Sequence, residues 1–306
     1  MKNNYYNEIK KELLNNEIYK RVKDYSKNRN DLSTYYNVGK ILVEAQGGEE
    51  RAKYGDSLIK EYSERLTKEL GKGYSTRSLK NMRKFYLLSE KGPTMSAQLA
   101  WSHYKELLVI KNNDEINYYI NVIEKNNLSV RGLREKIKNK EYQRLDDKTK
   151  LKLINKEEID IKDNIKNPII IKNKLDIDKE IVSEKILQRL ILEDIPSFLE
   201  ELGTGYSFIK NEYKIKLGER YNYIDLLLFN IEYNCYVVVE LKVIELKKEH
   251  IGQIQIYMNY IDNSLRKLTQ DKTIGLIICK KDNKYVIEYS SDKRILSREY
   301  ELINTN

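Results

Sequence analysis

Cysteine, histidine, proline and tryptophan are all scarce in this chain, with two, two, three and one among 306 residues. Cys235 and Cys279 each lie inside an apolar, strand-like run, which points to buried, inert thiols of a reducing cytoplasm and away from a disulfide. With no CxxC, and only His103 and His250, there is little material for a zinc site. No apolar run approaches the length of a membrane span, and the opening Met-Lys-Asn-Asn-Tyr-Tyr is unlike a signal peptide. The expectation is a soluble cytoplasmic protein with no membrane partner. What the chain does have is charge and tyrosine, 34% charged residues and 25 Tyr. Residues 1–150 sum to about +10 and the rest to about −1, together the net +9 of the whole. A basic amino-terminal half suits a polyanion, with a near-neutral module behind it.

A chain of this length suggests two domains. The spacing predicts an all-α first domain, residues 1–144, with helices over 4–24, 32–45, 54–70, 76–88, 97–110, 114–124 and 129–142. Gly47-Gly48, Gly71-Lys72-Gly73 and Gly92-Pro93 punctuate it. Ser75 is placed to cap a helix on which Leu79, Met82 and Tyr86 face inward, while Arg77, Lys80, Arg83 and Lys84 cover the rest. A helix, a glycine-containing turn and a second helix with outward bases resemble a helix-turn-helix. An ordinary surface helix with a solvated basic face explains the pattern equally well. Arg131 and Arg134, followed by Lys136, Lys138 and Lys140, form a second basic surface that could track phosphates. Trp101 and Tyr104 read as core anchors, and His103 as a packed or exposed histidine without a visible partner.

Residues 145–177 are rich in charge and Asn and lack a clean period, so they read as a linker with room for one short helix or strand; Pro168 argues against a long helix there. The second domain, 178–306, is expected to begin with one helix from about Asp178 to Leu202. Strands follow over Ser207–Leu217, Ile224–Phe229, Cys235–Leu241, Thr273–Lys280 and Lys284–Tyr289, with a helix over Lys247–Asp262. This order predicts a mixed sheet flanked by helices.

The informative stretch is Tyr221–Val243. Asn230-Ile231-Glu232-Tyr233-Asn234 breaks two apolar runs and reads as a tight turn. A turn centred between Glu232 and Tyr233 opposes Asp225 to Glu240 in an antiparallel ladder, with Cβ atoms roughly 5 Å apart. Alternation puts Lys242 on the face of Glu240. Opposed carboxylates are unfavourable unless a cation lies between them, and Lys242 or a divalent ion could serve. Oxygen donors of this kind suit Mg²⁺. A solvated strand end is as good an account of the bare spacing.

Asp225…Glu240-Leu241-Lys242 resembles the D…(D/E)xK signature of the PD-(D/E)XK nucleases, with Ile224 where the name-giving Pro would stand. FLEELGTGYSFIKNEY, YNYIDLLLFN, CYVVVELK, GQIQIYMNYID and TIGLIICK look, in that order, like the carboxy-terminal nuclease domain of the YhcG family. KYGDSLIKEYSERLTKELGKGYSTRSLKNMRKFY and LAWSHYKELL resemble that family's amino-terminal domain. The resemblance implies a restriction-endonuclease-like second domain. It implies that Asp225 and Glu240 hold a divalent metal, Mg²⁺ or Mn²⁺, with the Leu241 carbonyl as a further ligand. Lys242 would orient or help deprotonate the attacking water. Glu201 matches the family's helix acid and could reach the metal, with Glu200 as fallback. Gln253 and Tyr257, at i and i+4 on one helix face, match a Q-x₃-Y element that lines the site. His250 could be an extra acid or base.

The resemblance therefore suggests a metal-dependent DNA endonuclease, acting on duplex or branched DNA in repair, recombination or defence against foreign DNA. A homodimer is expected because one site cuts one strand, and a protein partner is open. The competing reading is a non-catalytic DNA-binding or adaptor subunit. RNA is a weaker third, since no aromatic single-strand platform of the usual kind is evident.

Overall fold

The computed structural model describes residues 2–21, 27–48, 56–92, 95–96 and 98–304. Expectations that touch residues 22–24, Tyr54, Pro93 and Ala97 lie outside the described residues. The chain divides into two compact units, Met1–Tyr142 and Gln143–Asn306.

The first unit is all-α among its described residues. Its helices are α1 (Lys2–Arg21), α2 (Lys27–Ala45), α3 (Asp56–Leu70), α4 (Thr76–Glu90), α5 (Trp101–Leu107), α6 (Asn113–Asn126) and α7 (Val130–Lys138). Tyr6, Ile9 and Leu13 of α1, Val38 and Leu42 of α2, Ile59, Tyr62 and Leu66 of α3, and Leu79 and Met82 of α4 form one core. Helices α2 and α4 pack so closely that a Cβ on Gly39 would lie 2.2 Å from the Met82 carbonyl oxygen. Only glycine permits that approach. Ser75 caps α4 as expected, its Oγ accepting from Ser78 N–H at 3.2 Å. The inward stripe is corrected in one place. Phe85 is buried, packing edge-on to Trp101 and Tyr104. Tyr86 is half-buried against Tyr36.

The second unit is built on one six-stranded sheet in the order β1-β6-β5-β4-β3-β2. The strands are β1 (Ile169–Asn173), β2 (Tyr206–Leu217), β3 (Arg220–Asn230), β4 (Cys235–Glu245), β5 (Ile274–Lys281) and β6 (Ile295–Asn304). β1, β6, β5 and β4 run parallel, and β3 and β2 join antiparallel, giving the expected mixed sheet. Helices α10 (Glu184–Glu193) and α11 (Ile195–Leu202) cover one face, where Leu187, Leu190, Ile191 and Phe198 meet Leu226, Val237, Val239 and Leu276. Helix α12 (Lys248–Ser264) covers the other, where Ile254, Met258 and Ile261 meet Leu227, Val238 and Ile277. Gly275 lets α12 down onto β5, since a Cβ there would lie 2.5 Å from Met258 Sδ.

Three expectations are overturned. Residues 145–177 are not a bare linker: they form α8 (Asp147–Asn155), α9 (Ile161–Asn164) and edge strand β1, paired with β6 from Ile169 against Tyr300. The Ile169-Ile170-Ile171 run is β-competent, and its partner lies at the far end of the chain. The single helix over 178–202 is broken in two at Asp194, where φ is −143°, because Pro196 starts a new helix and cannot donate within an old one. Residues 284–289, expected as a strand, form the short helix α13 (Lys284–Glu288), and the last strand is β6. A three-residue apolar run without alternation does not separate strand from helix turn. Cys235 and Cys279 are buried and unpaired.

Candidate active site

The hairpin register is the one the turn predicts. Leu226 opposes Val239 and Asn230 opposes Cys235, so the residue numbers of each pair share one sum. Past Leu226 and Val239 the pairing of β3 with β4 stops, and Asp225 takes over from the ladder. Its Oδ2 accepts from Leu241 N–H at 2.7 Å. In an extended strand the N–H and C=O of one residue point to the same side, so the Leu241 carbonyl leans towards the same opening.

Glu240 is 3% exposed and Lys242 8%. Lys242 Nζ donates to Glu240 Oε1 at 2.9 Å and lies 3.5 Å from Glu184 Oε2. Glu240 Oε2 is buried with no hydrogen-bond partner. Burial first, then the neighbouring Asp225 charge, pushes the Glu240 carboxyl up to about 7, against the pull of Lys242. Asp225 is likewise raised by burial, opposed by the Leu241 N–H and Lys242, and reinforced by Glu184 and Glu212. Burial disfavours the Lys242 ammonium, but Glu240, Glu184 and Asp225 outweigh it and hold its pKa above the ordinary lysine value.

Helix α12 closes one side. Gln253 Nε2 donates to Tyr257 Oη at 3.0 Å. Burial raises the Tyr257 phenol, the Gln253 bond opposes it, and the charges of Glu240 and Asp225 add to the rise while Lys242 opposes it. His250 is buried, its Nδ1 accepts from Lys247 N–H, and burial followed by Lys242 lowers its pKa.

Glu201 is bonded elsewhere. Its carboxylate is clasped by Arg144, with Nη1 to Oε2 at 2.6 Å and Nη2 to Oε1 at 3.2 Å, and it also accepts from Ile170 N–H. It ties α11 to β1 as a buried ion pair and is committed there. Glu200 is exposed, and its carbonyl accepts from Lys166. The helix acid that reaches the cluster is Glu184, in the first turn of α10, behind an N-cap in which Ser183 accepts from Ile186 N–H. One turn on, Gln188 Nε2 donates to the Asp225 carbonyl at 3.0 Å. The signal available in the sequence was Ser183 before an amphipathic Ile186-Leu187-Leu190-Ile191 stripe; which acid of that segment meets the strands is a matter of docking.

Among the described residues no three of His, Cys, Asp and Glu close on one point as a ready metal cage. Two carboxylates with a carbonyl beside them still suit a hard divalent cation, which keeps several waters. The orphaned Glu240 Oε2 is a donor without a partner, so the residues present fit such an ion.

In the first unit, Arg77, Lys84, Arg131 and Arg134 are exposed and Lys80 and Arg83 half-buried. Arg134 pairs with Glu106 at 2.8 Å. That bond holds the Glu106 carboxyl below its ordinary value, with Lys105 and Arg77 adding to the effect. His103 is structural: it bonds Ala100 N–H and the Leu128 carbonyl.

Residues 162–305 match the YhcG PDDEXK nuclease domain, and residues 11–144 match the DUF1016 N-terminal domain. The chain thus carries a YhcG-type PDDEXK nuclease domain behind a DUF1016-type N-terminal domain. An Escherichia coli (strain K12) protein named "Putative nuclease YhcG" is 27% identical over 310 residues, covering 88% of this chain and 83% of that one. A repair endonuclease structure from Pyrococcus abyssi is similar at 18% identity and a TM-score of 0.29, over 40% of this chain and 47% of that one; a likeness so slight carries no argument. The YhcG-type assignment agrees with the helical first unit and the mixed sheet of the second. PDDEXK nucleases usually use divalent metals. No helix among the described residues is long and apolar enough to cross a membrane.

Proposed function

We propose that this chain is a divalent-metal-dependent DNA endonuclease that hydrolyses phosphodiester bonds at Asp225, Glu240 and Lys242, with Glu184 as the helix acid. The observation that carries this is the buried, unpartnered Glu240 Oε2 beside Asp225, where β3 and β4 part. A buried and a half-buried carboxylate side by side, both with raised pKa values, oppose each other's charge and are relieved by a cation.

Asp225, Glu240 and the Leu241 carbonyl would hold the ion, Mg²⁺ or Mn²⁺. When bound, such an ion lowers the pKa of water and stabilises charge on the phosphate. Lys242 stays protonated among three carboxylates, so its role is to hold the attacking water and offset phosphate charge, and it is a poor base. Glu184 anchors that ammonium from the other side. Gln253 and Tyr257 wall the site and present an amide and a phenol to the substrate.

Arg77, Lys80, Arg83, Lys84 and Arg131 of the helical unit would meet the DNA backbone, duplex or branched. Arg134 contributes less, being half-neutralised by Glu106. Work on DNA in repair, recombination or defence, in the cytoplasm and as a homodimer, fits a one-site nuclease.

The test is cleavage of supercoiled plasmid and of a branched DNA with Mg²⁺, with Mn²⁺ or with EDTA, comparing wild type with Lys242→Ala and Asp225→Ala. Metal-dependent nicking lost in both variants supports the assignment. Bound but intact DNA under every condition refutes it, in favour of a non-catalytic adaptor.

A further inference from the structure

β2 and β3 form a hairpin that outruns the rest of the sheet. The two strands pair from Leu217 and Arg220 inward, whereas the pairing of β3 with β4 begins only at Leu226. One face of this outer hairpin is anchored: Ile215 and Ile224 are 1% and 0% exposed and pack with Tyr213 and Leu217 into the core under α12. The opposite face is set by register. Lys214 opposes Tyr223 and Lys216 opposes Tyr221, and opposed side chains share a face. Both lysines are exposed, and Tyr221 and Tyr223 are 54% and 52% exposed. Lys214 Nζ stands 3.8 Å from the centre of the Tyr221 ring.

Two rings on alternate residues of one strand are about 7 Å apart, and Tyr223 is the same distance along β3 from Asp225. Two half-exposed rings on a two-stranded arm, Tyr221 with Lys214 over one face and the other face free, with an ammonium group opposite each ring, match a single nucleic-acid strand. Its bases have free π-faces and its phosphates need cations. Paired bases are already stacked on one another, so a duplex could use only the lysines.

We infer that the Tyr221–Tyr223 face docks unpaired DNA bases and leads that strand to Asp225, which makes the substrate a DNA with a single-stranded segment at the scissile phosphate. The last step rests on the nuclease reading; the docking surface does not.

The experiment is binding in EDTA, by fluorescence anisotropy on the full chain, of a short duplex with and without a single-stranded tail. Tyr221→Ala/Tyr223→Ala is expected to weaken tailed-duplex binding about tenfold or more and to leave the blunt duplex unchanged, because base stacking is lost. Tyr221→Phe/Tyr223→Phe keeps the ring and the tail preference. Lys214→Ala and Lys216→Ala each lower the salt slope for the tail by about 0.7. The inference is overturned if wild type binds both DNAs alike, or if the alanine pair weakens both equally. It is overturned as a DNA surface if a single-stranded RNA of the same sequence binds more tightly. Since nothing is cut in EDTA, inactivity in the plasmid assay would sink the nuclease reading and leave this result standing.

Discussion

Glu240 should make the metal-free protein lose stability as pH rises. Folded, its carboxyl keeps its proton to about pH 7 because burial and Asp225 oppose its charge; its ordinary pKa is 4.5. Between these values the native state holds a proton that the unfolded chain has released. Stability from this group is therefore complete below about pH 4.5 and is lost as pH climbs through about 7. The displacement corresponds to about 3 kcal/mol at most, a large share of an ordinary domain's stability. Other groups with shifted pKa values surround it: Asp225, Lys242 and Tyr257 are raised, and His250, with its lowered pKa, works in the opposite sense by losing stability as pH falls. The informative quantity is thus the difference between wild type and Glu240→Gln, whose amide cannot ionise. Urea unfolding in EDTA at about pH 5 and about pH 8 should show the variant losing less stability than wild type over that window, by up to about 3 kcal/mol. Added Mg²⁺ should stabilise wild type more at the higher pH, where no proton must be displaced from the ligand. Parallel curves for the two proteins would refute the reasoning.

The two helix acids should separate activity from stability. Glu201→Gln breaks a buried ion pair and strands Arg144, so it should cost about 3–5 kcal/mol in a melt. Glu184→Gln, on a side chain 43% exposed, should leave the melt within about 0.5 kcal/mol and reduce cleavage. The reverse pattern would restore Glu201 as the helix acid. Gly39→Ala should destabilise the helical unit by about 1–3 kcal/mol, since its methyl meets the Met82 carbonyl; an unchanged thermal midpoint would contradict the packing of α2 on α4. Removing Arg77, Lys80 and Arg83 together should flatten the slope of log affinity for duplex DNA against log salt by up to about 3, and an unaltered slope would remove α4 from the interface.

Some of this was written locally. A tight turn at 231–234 and the two-residue period of strands are enough to bring Asp225, Glu240 and Lys242 to one end of the hairpin, and the observed register keeps the expected sum as far as Leu226 opposite Val239. Ser75 before an amphipathic helix, and glycines at the ends of α2 and α3, mark helix boundaries because caps and left-handed turns are short-range chemistry. The basic character of the first half is simple counting.

What lay out of reach depends on which element docks where. Glu184 and Glu201 are both acids on helices ahead of the strands. Which one meets the cluster was decided by the break at Pro196 and by Arg144, a residue in a stretch that reads as the edge of a linker. The Ile169-Ile170-Ile171 run became a strand because β6, more than a hundred residues away, offered it an edge. Tyr221 and Tyr223 look like strand residues in any reading, and only the sheet shows that their face is left open. Spacing along the chain encodes neighbours within a turn or a hairpin; the burial that raises Glu240 and the docking that brings Glu184 to Lys242 are properties of the packed whole.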